Sequence, residues 1–238
     1  MQNKTQLFCF TYAGGTASFF DNVEKCLIND IDVVKLEYSG HGKRFNEPMY
    51  KNFDELADDM YDIICRCYNN GHYALFGYSM GTISVIEVLK RIIRENSIPL
   101  PDNLFIAAHE PYTKGEIKGF SSGEIDNLVK ERTIKFGGIP EQLINNKSFW
   151  RMYMPLYKAD YSIIAKYSFE NLVLESTIPT TIFYSEADTP FEKMKLWKNY
   201  FKGKCDFYCY EGKHFFIKEY YNDISKIIKE KIEEQYDI

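Results

Sequence analysis

A chain of 238 residues with 45% hydrophobic and 26% charged residues has the make-up of a globular protein with an ample core. Its formal net charge is -5 and no basic block occurs, which excludes a nucleic-acid partner from the expectations. No run approaches the roughly 20 apolar residues that span a bilayer, and the N-terminal apolar run is too short for a signal peptide, so a soluble, cytoplasmic protein is expected.

Aromatic residues reach 16%, with 19 Tyr and 18 Phe, and we read them as a bulky core ahead of a roomy apolar pocket. The cysteines (Cys9, Cys26, Cys65, Cys67, Cys205 and Cys209) lack the paired C-x-x-C spacing of a zinc site, so reduced structural thiols are expected. No metal or organic cofactor is implied.

In chain order, short apolar runs predict strands at 7–12, 32–38, 73–78, 103–108, 180–185 and 206–210. Several are nearly continuous in apolar residues, as suits strands covered on both faces. Between the second and third lies a helical pattern in which Phe53, Leu56, Met60, Ile63, Ile64 and Cys67 share a face. Asn52 and Glu55 resemble a capping box at its start. After the third strand, Ile83, Ile86, Leu89 and Ile93 recur at helical intervals until "ENSIPLP" stops them. The final stretch spaces Ile217, Tyr220, Ile224, Ile228 and Ile232 in the same way. Strands alternating with helices predict an α/β fold with a mostly parallel central sheet flanked by helices. From about 112 to 170 the rhythm breaks into helix-like pieces, which reads as an insertion over the sheet within a single domain spanning 1–238.

The pattern G-x-S-x-G occurs twice, in "GYSMG" around Ser79 and in "GFSSG" around Ser121. A serine nucleophile needs exposure, a nearby base and free backbone N–H groups, and a sharp strand–turn–helix supplies all three. Ser79 has a buried strand before it and a helix after it. Ser121 lacks this context, because "KGEIKG" before it is no buried strand, and Ser121-Ser122-Gly123-Glu124 reads as a capping box for the helix that follows.

A hydroxyl also needs a base. Of the four histidines, His72 precedes the Ser79 strand, at the wrong end of a parallel sheet. His41 in "YSGHGKRF" could face the substrate, and His109 at the end of the 103–108 strand could approach the site. Only His214 leaves room for an acid between nucleophile and base in the order this fold requires. The acid belongs on the loop after the penultimate strand, where "SEADTP" offers Asp188, deeper in the loop, with Glu186 as the alternative. One oxyanion donor is expected from the Met80 N–H, and a second from the "TYAGGTAS" loop, where Gly14 and Gly15 permit close backbone approach. No G-x-G-x-x-G dinucleotide loop is present.

With these pieces in place the chain resembles a type II thioesterase of nonribosomal peptide and polyketide synthesis, over nearly its whole length. "LFCFTYAGGTASFF" resembles that family's opening strand and oxyanion loop, "GYSMG" its nucleophile turn, and "GHGKRFNEP" its Gly- and Arg-rich loop ending in Glu-Pro. "FGGIPEQL" and "MPLYKADYSIIAKY" resemble its insertion, and "GKHFFI" its histidine turn. The resemblance implies an α/β-hydrolase fold with a helical lid, a triad of Ser79, Asp188 and His214, and an oxyanion hole from the amides of Ala13 and Met80. It also implies hydrolysis of acyl or aminoacyl thioesters on the phosphopantetheine arm of an acyl or peptidyl carrier protein, in an editing role. No obligate-oligomer signal is seen, and a monomer is expected. Aromatics of the insertion, Phe136, Phe149, Trp150, Tyr153 and Tyr157, either line the acyl chamber or pack the lid. The sequence departs from the family at Tyr38-Ser39, where a proline is usual, at His41, where Arg is common, and at His109-Glu110, where smaller residues are found. A carboxylesterase or lipase-like hydrolase, or a medium-chain fatty acyl-carrier thioesterase, shares the same chemistry and differs in substrate.

Overall fold

A computed structural model describes residues 3–112, 125–170, 172–174 and 176–235. Among the described residues, the sheet has strands β1 (Thr5–Phe10), β2 (Ile31–Lys35), β3 (Tyr73–Tyr78), β4 (Asn103–Ala107), β5 (Thr180–Tyr184) and β6 (Cys205–Cys209). Their spatial order is β2-β1-β3-β4-β5-β6, and every pairing is parallel. The helices are α1 (Asp21–Leu27), α2 (Phe53–Cys67), α3 (Met80–Glu95), α4 (Ile125–Phe136), α5 (Glu141–Ile144), α6 (Lys147–Lys166), α7 (Phe191–Met194) and α8 (Ile217–Glu233). Each strand expected from the sequence is present, that at 73–78 with both ends as expected and the others with ends moved by at most three residues.

Side chains alternate across the sheet because successive residues of a strand point to opposite faces. Leu7, Cys9, Phe76, Phe105 and Phe183 enter one core with α1 and α8. Phe8, Phe10, Leu75, Leu104, Ile106 and Ile182 enter the other with α2, α3 and the helical insertion. Both faces are covered, which is why the strands read as unbroken apolar runs. The chain runs from β1 to β2 on one side and returns to β3 on the other. The crevice at this reversal, outside the carboxyl ends of the strands, is where α/β sheets place their sites.

Several local expectations shift by a residue. Asn52 caps α2, its side chain accepting from the Glu55 N–H at 2.8 Å, but Glu55 reaches back to the Lys51 N–H (2.9 Å) rather than to that of Asn52. Ile83, Ile86 and Leu89 of α3 are buried, whereas Ile93 is 48% exposed and Ile92 takes the inward position. Cys67, at the end of α2, is likewise exposed. Tyr220 departs from helical geometry, with φ -109° and ψ 18°, so α8 is kinked near its start. The insertion between β4 and β5 carries α4, α5 and α6. The Ser121 turn and its expected capping box lie outside the described residues.

Candidate active site

At the carboxyl end of β3 the backbone turns within one residue. Ser79 has φ 56° and ψ -116°, a conformation that non-glycine residues rarely adopt, and α3 begins at the next residue. Its N–H donates to the Ala107 carbonyl of the neighbouring strand at 2.8 Å, which holds the turn against the sheet. The two glycines of "GYSMG" answer a steric demand. A Cβ on Gly77 would lie 2.2 Å from the Gly81 carbonyl oxygen, and one on Gly81 would lie 2.1 Å from that of Phe10. Only with both absent can α3 leave the turn and rest directly on β1.

The Ser79 hydroxyl meets His214, on the loop between β6 and α8, with Oγ 2.9 Å from Nε2. The other ring nitrogen, Nδ1, lies 2.9 Å from Oδ2 of Asp188, on the loop after β5. A carboxylate only accepts, so Nδ1 carries the proton and Nε2 is left to accept from the hydroxyl. Both side chains are more than nine-tenths buried. The supporting loops are tied together: the Tyr78 hydroxyl donates to the His214 carbonyl at 2.6 Å, and the Ser185 hydroxyl donates to that of Gly212. The Ser185 carbonyl accepts the Asp188 N–H at 3.1 Å, closing the turn that presents the carboxylate. Glu186, the alternative acid, points outward and accepts the Phe191 N–H at the start of α7.

Ser79, His214 and Asp188 open onto a cavity of about 520 Å³, which Tyr12, Ala13 and Met80 also line. Among the described residues neither the Ala13 nor the Met80 N–H has an acceptor within the protein. The Met80 amide stands in the first turn of the 16-residue α3, where the helix dipole favours negative charge. The arrangement therefore holds a hydroxyl, a base, an orienting carboxylate and unspent N–H groups at one wall of a cavity, as acyl transfer requires.

The other histidines separate cleanly. His72 sits at the amino end of β3, 3.2 Å from Asp102 and remote from the cavity. His109 lines the cavity; burial lowers its pKa to about 4, its Nδ1 lies 2.8 Å from the Glu110 carbonyl, and its own carbonyl accepts from the Trp197 indole. His41, which from the sequence could have faced the substrate, is not among the residues that line the cavity. It is buried beneath the oxyanion loop, paired with Asp160 of α6 at 2.9 Å. Of the insertion aromatics, Phe136 and Tyr157 line the cavity. Phe149, Trp150 and Tyr153 instead pack on one another. Sequence reasoning missed the charged wall groups Arg132 and Lys193 and the aromatic Tyr112 and Tyr161.

The chain matches the family model described as Thioesterase domain over residues 5–236. It is 26% identical over 217 residues to the medium-chain S-acyl fatty acid synthase thioesterase of Rattus norvegicus, covering 89% of this chain and 81% of that one. It is 26% identical over 219 residues to the gramicidin S biosynthesis protein GrsT of Aneurinibacillus migulanus, covering 91% and 84%. The fold is similar to that of ClbQ from the colibactin NRPS/PKS pathway, with a TM-score of 0.85 over 98% of this chain and 99% of that one, at 23% identity. With a parallel sheet of the α/β-hydrolase type and a family match across nearly all of its length, the chain belongs to the thioesterase-domain family and is a hydrolase of thioester bonds.

Proposed function

We propose that this enzyme is a type II serine thioesterase that clears acyl or aminoacyl groups from the phosphopantetheine arm of carrier proteins in nonribosomal peptide or polyketide synthesis. The observation that carries the reading is the 2.9 Å approach of Ser79 Oγ to His214 Nε2, with Asp188 on the far nitrogen. The place of its relative GrsT in gramicidin S biosynthesis supports the pathway class.

In the proposed reaction His214 takes the Ser79 proton as the hydroxyl oxygen attacks the thioester carbonyl. Asp188 holds the ring and stabilises the imidazolium. The Ala13 and Met80 amides donate to the oxyanion. Collapse breaks the carbon–sulfur bond, the leaving thiolate takes the proton from His214, and an acyl group remains on Ser79. Water then gives a proton to His214 and attacks the acyl-enzyme, and the carboxylic acid departs as the hydroxyl is restored. Pantetheine belongs to the substrate, and the chemistry calls on no cofactor.

The insertion at about 112–170 acts as a helical lid on a single hydrolase domain, and the protein works as a cytoplasmic monomer. Among the described residues no helix is long and apolar enough to cross a membrane. The relation to the rat enzyme raises a medium-chain fatty acyl substrate. The cavity carries His109, Glu110 and Arg132 on its walls, and a long alkyl chain would desolvate them without replacing their hydrogen bonds, so short or polar acyl groups fit better. The test is hydrolysis of carrier proteins loaded with aminoacyl, acetyl and decanoyl groups, followed by intact mass, beside an aryl ester. Faster clearance of the short carrier-bound groups is expected. Preference for the decanoyl carrier would favour the fatty-acyl reading, and preference for the aryl ester would favour an esterase.

A further inference from the structure

The Ala13 amide sits on a loop, and a loop donor is only as well aimed as the contacts beneath it. Under this loop lies Asp160 of α6, 3% exposed. One of its oxygens, Oδ2, accepts the Gly14 N–H at 2.7 Å and stands 2.9 Å from His41 Nε2. His41 is 1% exposed, and its Nδ1 is 3.0 Å from the Ser39 carbonyl oxygen. Both ring nitrogens thus face acceptors. A neutral imidazole can donate to only one of them, whereas the imidazolium donates to both, so the geometry selects a charged ring against a buried carboxylate. Tyr157, three residues before Asp160 and on the same face of α6, covers Gly14 so closely that a Cβ there would be 2.0 Å from its ring. Gly14 also has φ +77°, which a side chain would strain.

We propose that His41 and Asp160 are positioning residues, which clamp the Gly14 peptide so that the adjoining Ala13 N–H stays aimed at the oxyanion. The clamp makes that aim depend on α6, and so couples the helical insertion to the catalytic wall. This rests on the reading of Ser79 as nucleophile and Ala13 as donor. The groups facing His41 are Asp160 from α6, and Glu37 and Tyr38 from the segment after β2. Burial opposes the charge on His41, but Asp160, the Ser39 carbonyl and Glu37 outweigh it and raise its pKa. The sign is that of a raised base: the clamp is intact while His41 is protonated and is lost as pH rises through its folded pKa, above the ordinary value of about 6.5.

The test uses the full chain with an acyl-loaded carrier protein, and a trifluoromethyl ketone analogue of the acyl-pantetheine as the oxyanion mimic. Asp160→Asn and His41→Gln are each expected to lower kcat about 10- to 100-fold with KM changed less than about threefold, the scale of a misaimed donor. Affinity for the ketone should fall by a similar factor, which a merely structural role would not produce. Should a neutral variant fail to fold, His41→Arg keeps a permanent cation against Asp160. It should recover most of the rate lost in His41→Gln and abolish the alkaline fall of kcat that the clamp predicts for the parent. A folded Asp160→Asn or His41→Gln with kcat and ketone affinity within about twofold of the parent overturns the proposal, as does an unchanged alkaline limb in His41→Arg. Ser79→Ala in the same assay separates the two readings: residual turnover there refutes the nucleophile itself, whereas an inactive Ser79→Ala beside a fully active Asp160→Asn refutes only the clamp.

Discussion

The phenyl ring of Phe136, at the end of α4, lies over the imidazole of His214 with centroids 4.4 Å apart and planes inclined by 32°. The insertion thereby covers the base itself. An aromatic face beside an imidazolium favours the charged form that acylation creates, and it also keeps water from the ring. Phe136→Ala should lower kcat about 3- to 30-fold, the range of a cation–π contact, while Phe136→Tyr retains most of the rate. Steady-state kinetics with a carrier-bound acyl group checks this, and an unchanged kcat in Phe136→Ala would deny the ring any part in catalysis.

The choice between the two acids of the "SEADTP" loop makes a sharp contrast. Asp188→Asn should cost about 10⁴-fold in kcat, because the amide no longer holds the imidazole tautomer that leaves Nε2 free to accept. Glu186→Gln should change kcat less than about twofold, since Glu186 is exposed and only receives the Phe191 N–H. Equal losses in both variants would contradict the assignment.

The glycines of the nucleophile turn predict a stability effect distinct from chemistry. Gly81→Ala places a Cβ against the Phe10 carbonyl, a backbone atom with little room to yield, so overpacking of about 1–3 kcal/mol or more is expected. Gly137→Ala has no atom within 4 Å of the new Cβ but sits at φ +76°, so it carries strain alone. Urea midpoints of the two variants should rank Gly81→Ala as the less stable.

What could be read before the fold was known depended on how local the signal was. The Ser79 turn needs only a strand, two glycines and a helix within some twenty residues, all contiguous in the chain. Asp188 and His214 could be placed because loops after successive strands of a parallel sheet share one edge. The His41–Asp160 pair had no such signal. Its partners are 119 positions apart, and α6 must first fold back over the sheet to bring them together. A histidine in a glycine-rich loop therefore reads as surface or substrate-facing until that helix is in place. The insertion aromatics stayed undivided between chamber and lid for a related reason: their spacing marks a helix with a buried face, but packing decides whether that face meets the cavity, as at Tyr157, or other rings, as at Phe149.

His109 predicts a pH dependence of stability. Its pKa is lowered to about 4 by burial, below the ordinary value of about 6.5. The unfolded chain therefore binds this proton first. The contribution is present above about pH 6.5 and is lost as pH falls toward 4. Thermal unfolding of the parent should lose more stability between pH 7 and pH 5 than that of His109→Gln, which keeps a donor for the Glu110 carbonyl. Parallel losses would show that His109 does not carry this linkage.

The most direct measurement is rapid quenching of the enzyme with an acyl-loaded carrier protein, followed by peptide mass analysis of the enzyme. A transient acyl adduct on Ser79 is expected, built up before free acid reaches its steady rate and absent in Ser79→Ala, which should retain the fold and lose about 10⁴-fold or more in turnover. Free acid released at the parent rate by Ser79→Ala, or an adduct on another residue, would contradict it.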